Sequence, residues 1–408
     1  MTDPLSGNKK PFLNNMPQNT VESDRQWLDN LLDEAIARRT SDVHIDPGKG
    51  KATMKLRVDG MLYELDTYEM DVHGQIVSQI KVLANMDIAN IHFPQDGQFD
   101  YTFDGRVHYI RVSTFPTIHG EAVVMRILNR LDSFVGLDEL GLDEKQLSDV
   151  MELISRPFGM MLTTGPSGSG KSTLLNSILK YLNKEENNII TIEDPVEFHM
   201  DNVRQTQINP YHKFGFAEAL RAILRQDPDI VMIGEIRDAE TAQTAVQATL
   251  TGRLFFSTFH TLDVFSIIAR FIEMGIPRSV VAHVIGGVIS ARLVRKIHDK
   301  CKVPYEMKPH EMHLLKDVLP ENIVVYHGEG CHECSNTGYY GTTGIFEIVP
   351  FDEELRMAII ESTSLDELRP LLKQKKIKNL LGSGIDKIVQ GISTPEEVIR
   401  VTGGKEDK

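Results

Sequence analysis

The segment Gly165-Pro-Ser-Gly-Ser-Gly170-Lys171-Ser172 fits the pattern GxxxxGK[ST] at every fixed position. An apolar, strand-like run precedes it at Met160–Thr163, and a helical pattern follows over Thr173–Leu182. Glycines let backbone amides turn inward around phosphate oxygens, and the start of a helix adds partial positive charge. The stretch therefore predicts a nucleoside triphosphate site rather than an ordinary glycine-rich turn.

Two side chains of this loop have separate tasks. Lys171 can reach the β- and γ-phosphates, while the hydroxyl of Ser172 can hold Mg²⁺. The residues that we expect to bind the nucleotide are Gly165, Pro166, Ser167, Gly168, Ser169, Gly170, Lys171, Ser172 and Thr173.

An acidic residue follows the apolar run Ile230–Ile233, which has the composition of a buried strand. Carboxylates at the carboxyl end of a sheet strand are placed to handle a metal-bound or attacking water. We therefore expect Glu235 to orient or activate that water. Asp238 fits better as the cap of the next helix.

Two further residues at strand ends have less specific signals. Glu193 follows the run Ile189–Ile192 and is either a site carboxylate or part of a solvated loop. His260 ends the run Leu254–Phe259, where it either senses the terminal phosphate or has a structural role. The residue types alone leave both alternatives open.

The order of patterns along the chain predicts an α/β protein of several parts. In the first half, a helical pattern and short alternating runs, two of them separated by the turn signal Asp59-Gly60, indicate an α+β unit. From Met160, strands alternate with helices, which predicts a parallel, doubly wound sheet. The apolar stretch Ser279–Val294 is expected to be a buried helix. The expected parts are a disordered lead-in (1–20), an N-terminal domain (21–130), a linker (131–156), a nucleotide-binding domain (157–350) and a helical C-terminal region (351–408).

Composition excludes several classes of protein. The chain has 408 residues, and its 58 acidic against 44 basic residues leave a net charge of −14. That balance argues against a broad basic surface for nucleic acid, so no nucleic-acid partner is expected. The N-terminus lacks the apolar region of a signal peptide, and we expect a cytoplasmic protein whose association with any membrane goes through protein partners.

All three cysteines, Cys301, Cys331 and Cys334, fall in one region. Three thiols, two of them as CxxC, suggest a metal before a disulfide in a cytosolic protein. Structural Zn²⁺ takes four ligands, and His298 gives HxxC ahead of the CxxC pair. A zinc-binding insert at about 298–334 is therefore expected, with His332 or Asp299 as alternative fourth ligands, or a lost site as the alternative to zinc.

Taken together, the motifs resemble the secretion ATPase superfamily of type II secretion and type IV pilus assembly. The stretches that carry the resemblance are Arg38–Pro47, Arg57–Gly60, Pro94–Gly97, Arg111–Thr117, Thr191–Glu197, Leu224–Asp229, Gly234–Asp238 and Ser257–Thr261. The resemblance implies a PAS-like N-terminal α+β domain and a RecA-like ATPase domain, assembled as a homohexamer.

The resemblance also assigns roles to individual residues. It places Glu193 in the family's Asp box, Glu235 in its Walker B segment and His260 in its His box. Arg111 and Arg126 match family positions whose guanidinium groups stabilise γ-phosphate charge. Arg57 is a further candidate, and a surface salt bridge is the alternative for each arginine.

The function that we predict is hydrolysis of Mg-ATP to power a type IV pilus or a type II secretion pseudopilus, through an inner-membrane platform protein. By resemblance, the cysteine motif marks assembly and secretion ATPases, whereas retraction ATPases generally lack it. Larger assembly ATPases carry an extra N-terminal domain, so docking is expected to differ in this chain. The rival hypotheses are a retraction ATPase, a DNA-translocating or conjugative ring ATPase, and a nucleotide-binding regulator without turnover.

Overall fold

The computed structural model describes residues 21–129, 135–209, 214–320, 323–362 and 364–403. The predicted lead-in, residues 1–20, lies outside the described residues. The chain divides into two compact units. Of the described residues, the first unit contains 21–129 together with the segments 297–303 and 327–341, and the second contains those within 135–296, within 304–326 and from 342 onward. The sequence had assigned both of those segments to the nucleotide-binding domain.

The first unit is built on one antiparallel sheet. The helices and strands of residues 21–129 are α1 Val21–Ala37, β1 Thr40–Asp46, β2 Lys51–Val58, β3 Met61–Glu69, α2 His73–Leu83, β4 Gln95–Phe103, β5 Arg106–Thr117 and β6 Gly120–Asn129. The six strands lie in the order β3-β2-β1-β6-β5-β4. Leu28, Leu31 and Leu32 of α1 are almost fully buried, so the helix packs through the apolar face that its sequence predicts.

Strand β6 was not predicted as a strand, although its pattern is regular. Val123, Met125 and Ile127 point to the core, while the residues between them are more exposed. This alternation is that of a strand with one buried face. β6 lies between β1 and β5, in the interior of the sheet.

The second unit is built on a parallel sheet. From residue 135 the elements are α3 Glu144–Ile154, β7 Gly159–Thr164, α4 Lys171–Leu182, β8 Ile189–Glu193, β9 Arg204–Gln207, α5 Phe216–Ile223, β10 Ile230–Ile233, α6 Ala239–Thr249, β11 Leu254–Phe259, α7 Val264–Glu273, α8 Arg278–Val284, β12 Ile285–Ile297, β13 Lys302–Tyr305, α9 Pro309–Leu315, β14 Val325–Gly328, β15 Tyr339–Pro350, α10 Glu353–Glu361, α11 Arg369–Gln374, α12 Leu380–Val389 and α13 Pro395–Thr402. The strand order is β15-β12-β7-β11-β10-β8-β9, and the strands from β12 to β9 are parallel. The alternation of strand and helix predicted this arrangement.

The expected buried helix over Ser279–Val294 is wrong. α8 ends at Val284, and β12 runs from Ile285 to Ile297 beside β7. The first seven residues of β12 are buried, so the run has no alternation that would mark it as a strand. Close packing on this strand is shown by Gly287, where a Cβ would lie 2.7 Å from a methyl group of Leu153 in α3. The carbonyl oxygen of Val349 would lie 3.2 Å from the same Cβ, so this position leaves little room for a side chain.

The C-terminal helices enclose a buried ionic cluster. The carboxylate of Glu397 is fully buried and accepts hydrogen bonds from Arg295 at 2.8 Å and from Arg400 at 2.7 Å. Burial alone would raise the pKa of Glu397, but the hydrogen bonds and charges of Arg400 and Arg295 outweigh it and lower the pKa to about 2. The carboxylate therefore connects α13 to β12 as a charged group.

Replacing Glu397 with Ala is expected to destabilise the protein by about 3–5 kcal/mol, because it removes a buried carboxylate from between two guanidinium groups. Urea denaturation followed by circular dichroism measures this. The Glu396→Ala variant, whose exposed side chain pairs with Lys308, serves as the control and should lose less than about 1 kcal/mol.

The contribution of Glu397 to stability decreases as the pH falls. Because the folded pKa of Glu397 lies below its ordinary value of 4.5, its contribution to stability is complete above pH 4.5 and is lost as the pH falls toward 2. The stability difference between wild type and Glu397→Ala should therefore shrink over that acidic range. A difference that stays constant down to pH 2 would contradict this assignment.

Candidate functional site

The phosphate-binding loop connects β7 to α4, as the sequence predicts. Gly165, Gly168 and Gly170 all have positive φ angles, of 150°, 73° and 88°. A Cβ on Gly165 would lie 2.6 Å from the carbonyl oxygen of Ala291, so this position has no room for a side chain. The loop thus needs glycine for both its backbone conformation and its packing.

The polar groups of the loop fit an anion with a bound cation. Lys171 is buried and donates hydrogen bonds to the carbonyl oxygens of Gly165, at 2.7 Å, and Pro166, at 2.9 Å. Burial and then the charge of Arg292 lower the pKa of Lys171 to about 8, against the opposing effect of Glu235. The buried Ser169 hydroxyl has no hydrogen-bond partner, while Ser172, the expected Mg²⁺ ligand, is exposed. These features suit the phosphates of a nucleotide.

Parallel register brings the predicted carboxylate and histidine to the same edge of the sheet as this loop. Ile233, at the end of β10, pairs with Ser257 of β11, and Phe259 pairs with Thr164 of β7. Glu235 and His260 follow these strand ends, and their side chains lie 3.8 Å apart.

The charges around Glu235 are arranged asymmetrically. Its carboxylate is mostly buried and accepts a hydrogen bond from the exposed Arg237, whose pKa it raises. Burial and then the charge of Lys171 lower the pKa of His260, against the effect of Glu235. His260 is therefore neutral near pH 7 and can accept a hydrogen bond. Asp238 caps α6 by accepting from the backbone N–H of Thr241 at 2.8 Å, as the sequence predicts.

Glu193 ends β8, on the other side of β10 from β11. Its carboxylate is buried and accepts hydrogen bonds from Thr191 at 2.6 Å and Gln205 at 3.1 Å. Burial raises the pKa of Glu193, although those two hydrogen bonds oppose the rise. The structure thus places Glu193 in a fixed, buried position, which differs from the solvated loop residue that the sequence left as an alternative.

Sequence reasoning missed Arg292, which lies against the phosphate-binding loop. A Cβ on Gly165 would lie 2.8 Å from its Nη1 atom, and its Nη2 atom donates to the carbonyl oxygen of Leu262 at 3.1 Å. Burial lowers the pKa of Arg292, against the charge of Glu347. Arg292 thus joins the phosphate-binding loop to the segment that follows His260. Its signal was a basic residue in an otherwise apolar run.

The predicted arginines lie together in the first unit. Arg111 and Arg126 face each other across β5 and β6. Arg126 pairs with the buried carboxylate of Asp42 at 2.8 Å, and Arg57 approaches the same carboxylate at 3.7 Å. Arg57 and Arg126 thus share one carboxylate, that of Asp42.

The four predicted metal ligands come together in the first unit. The ligand atoms of His298, Cys301, Cys331 and Cys334 all lie within 4.8 Å of one another. The Sγ atoms of Cys301 and Cys331 lie 3.9 Å and 3.8 Å from that of Cys334, so none of these pairs is a disulfide. The alternative ligands His332 and Asp299 are not part of this group of described residues.

These spacings fit a tetrahedral metal ion. Zinc–sulfur bonds of about 2.3 Å at tetrahedral angles place two sulfurs about 3.8 Å apart, and a sulfur about 3.6 Å from a nitrogen. The Nδ1 atom of His298 lies 3.6 Å from Cys301 and 3.3 Å from Cys331. Backbone N–H groups of Cys331 and Gly338 donate to the Cys334 sulfur at 3.2 Å and 3.3 Å, as they would to a thiolate.

The fold and the phosphate-binding loop define a P-loop nucleotide-binding protein. Comparison with known families is more specific: the chain belongs to the family "Type II/IV secretion system protein", whose model matches residues 19–400. Among the described residues, we find no helix with the length and apolar character to cross a bilayer.

Its relatives include ATPases of secretion and pilus machines. The type II secretion system ATPase E of Vibrio cholerae is 42% identical over 375 residues, which are 92% of this chain and 74% of the relative. The type IV pilus assembly ATPase PilB of Thermus thermophilus is 39% identical over 93% of this chain and 43% of the relative. The resemblance that the motifs indicated is therefore confirmed.

Solved structures show the same fold. The ATPase DotB of Legionella pneumophila aligns with a TM-score of 0.67 over 94% of this chain and 97% of its own, at 21% identity. The pilus retraction motor PilT, solved with bound ADP, aligns with a TM-score of 0.60 over 93% of this chain and 97% of its own, at 26% identity. The predicted α/β fold is thus confirmed.

The position of Arg292 yields a prediction for nucleotide binding. Arg292→Ala should weaken binding of a fluorescent ATP analogue about tenfold, because it removes a charge-assisted contact beside the phosphate-binding loop. Titration of the analogue measures this. Lys296→Ala, an exposed residue of the same strand, should leave the dissociation constant within about twofold of wild type. Equal affinity of wild type and a folded Arg292→Ala protein would contradict this role.

Proposed function

We propose that this chain hydrolyses Mg-ATP and drives assembly of a type IV pilus or of a type II secretion pseudopilus. One observation carries the proposal: a phosphate-binding loop, Glu235 and His260 lie together at one edge of a parallel sheet. The names of the curated relatives support the choice of machine, since they are type II secretion and pilus assembly ATPases about 40% identical to this chain.

The residues of the site have separate roles in binding and hydrolysing the nucleotide. Lys171 and the backbone N–H groups of Gly165 and of residues 167–173 would hold the phosphates, and the Ser172 hydroxyl would hold Mg²⁺, which would neutralise phosphate charge. Glu235 orients the attacking water and accepts its proton. His260, which is neutral and lies beside Glu235, senses the terminal phosphate through a hydrogen bond. The buried carboxylate of Glu193 helps to hold either Mg²⁺ or the attacking water in place.

Arg111 and Arg126 are proposed to stabilise the charge that develops on the γ-phosphate. Arg126 shares the carboxylate of Asp42 with Arg57, so two guanidinium groups lie against one carboxylate. A guanidinium fork matches the geometry of phosphate oxygens. Arg126 is largely exposed, so its outer nitrogens are accessible to a ligand.

The assembly that we propose is a homohexamer in the cytoplasm, which transmits its motion to an inner-membrane platform protein. The relatives belong to secretion and pilus machines, which supports this setting. A retraction motor is the second candidate, favoured by the similarity to PilT. The higher identity to assembly and secretion ATPases, and the cysteine cluster, favour extension.

Glu235→Gln should lower kcat at least about 100-fold, because an amide cannot accept the proton of water. Phosphate release measures turnover, and a fluorescent ATP analogue should bind with a dissociation constant close to that of wild type. Glu240→Gln is the matched control, since this neighbouring carboxylate is exposed and outside the site. Phosphate release that is at background in wild type and unchanged in Glu235→Gln would support a regulator without catalysis.

The metal that we propose for the cysteine cluster is Zn²⁺, held by His298, Cys301, Cys331 and Cys334. Imidazole and thiolate ligands at tetrahedral spacing are typical of structural zinc sites. The site would tie together two segments separated by a long connection, a structural rather than catalytic role.

Elemental analysis of protein purified without chelator should find about one zinc per wild-type chain. His298→Ala should reduce that content, whereas His298→Cys should keep it, because a thiolate supplies the same fourth bond. His332→Ala should also keep it. If zinc were lost in His332→Ala and kept in His298→Ala, His332 and not His298 would be the fourth ligand.

A further inference from the structure

The proposed zinc site is connected to the N-terminal part of the chain through the aromatic ring of Tyr340. The ring of His298 packs on the ring of Tyr340, with centroids 5.4 Å apart and a tilt of 33°. On Tyr340, the guanidinium carbon of Arg39 lies 3.4 Å from the ring centroid. All three residues are in the first compact unit. A residue that follows helix α1 thus reaches, through one ring, a ligand of the proposed metal.

A carboxylate fixes the guanidinium over this ring. Asp59, in the turn between β2 and β3, accepts from Arg39 Nη2 at 3.2 Å. The same oxygen accepts from the backbone N–H of Gly341 at 3.0 Å, next to Tyr340. Asp59 is mostly buried, with 13% of its side chain exposed. One carboxylate oxygen therefore holds both the cation and the backbone that carries the ring.

The backbone at both anchoring residues is unusual. Arg39 has a φ of 59° and Asp59 a φ of 47°, in the left-handed region that residues with a side chain rarely adopt. A substitution from Arg to Ala leaves this backbone cost nearly unchanged, because both residues have a Cβ. Such a variant therefore reports on the guanidinium rather than on the turn.

We propose that Arg39 and Asp59 are positioning residues of the metal site, and that the stack of Arg39, Tyr340 and His298 sets how firmly the metal is held. The proposal rests on the proposed binding of zinc at His298, Cys301, Cys331 and Cys334. In this arrangement Tyr340 limits rotation of the His298 ring, whose Nδ1 atom faces the thiols of Cys301 and Cys331.

The size of the effect follows from what outer contacts contribute in metal sites. Groups that orient a histidine ligand change metal affinity by about 10- to 100-fold when they are removed. A cation stacked on a half-exposed ring contributes only modestly. We therefore expect an effect at the lower end, about tenfold, when either the cation or the ring is lost.

The experiment measures zinc release from the full-length protein to a coloured chelator, after the total zinc content has been determined. Arg39→Ala and Tyr340→Leu should release zinc about tenfold faster than wild type. Tyr340→Phe, which keeps the ring, and Asp59→Asn, which keeps a hydrogen-bond acceptor, should release it within about threefold of wild type. Arg38→Ala is the matched control, since Arg38 pairs with Glu34 on the preceding helix.

The outcomes separate this inference from the proposed zinc site. Equal release rates in wild type, Arg39→Ala and Tyr340→Leu, with one zinc bound in each, would overturn the inference and leave the zinc site intact. Wild-type protein without zinc would overturn both. Circular dichroism shows whether each variant is folded, and the half-exposed Tyr340 provides the test if Arg39→Ala does not fold.

Discussion

The site depends above all on the parallel register of β7, β11 and β10. Parallel strands end at the same edge of a sheet, so residues separated by many positions in sequence arrive together there. The phosphate-binding loop, His260 and Glu235 are brought together in this way, without a contact that is local in the chain. Their spacing is set by backbone hydrogen bonds between strands whose side chains are buried on both faces. A rigid sheet therefore supplies the precision that a loop alone would lack.

Sequence patterns predicted the parts of the site where the chemistry itself fixes the spacing. The phosphate-binding loop was found because its glycines and Lys171 must stand at set intervals to surround a phosphate. The grouping of His298 with the three cysteines was predicted for the same reason, since short spacings of such residues are typical of a tetrahedral metal site. Asp238 was predicted to cap the helix that follows the strand Ile230–Ile233, and it does so. In each case a local physical requirement left a local pattern.

Other features could not be predicted from the sequence because they depend on distant packing. The sequence of β12 is an apolar run without hydrophobic periodicity. Its pairing with β7 is what identifies it as a strand. Arg292 appeared as a break in that run, yet the fold puts it beside Gly165. The contact between Arg39 and Tyr340 joins residues about 300 positions apart, so no window of sequence contains both. The membership of segments 297–303 and 327–341 in the first unit follows from such contacts.

The discontinuity of the first unit has a consequence for how the protein is made. Its sheet is complete at Asn129, but its last segment ends at Gly341, after most of the second unit. Domains generally fold in order as they leave the ribosome. The first unit cannot follow that order, because its sheet has been synthesised well before Tyr340. When Asn129 has been added, more than half of the polypeptide is still to be synthesised. The N-terminal unit, first to emerge, is thus completed late, and a fragment that ends near residue 130 would lack part of its own structure.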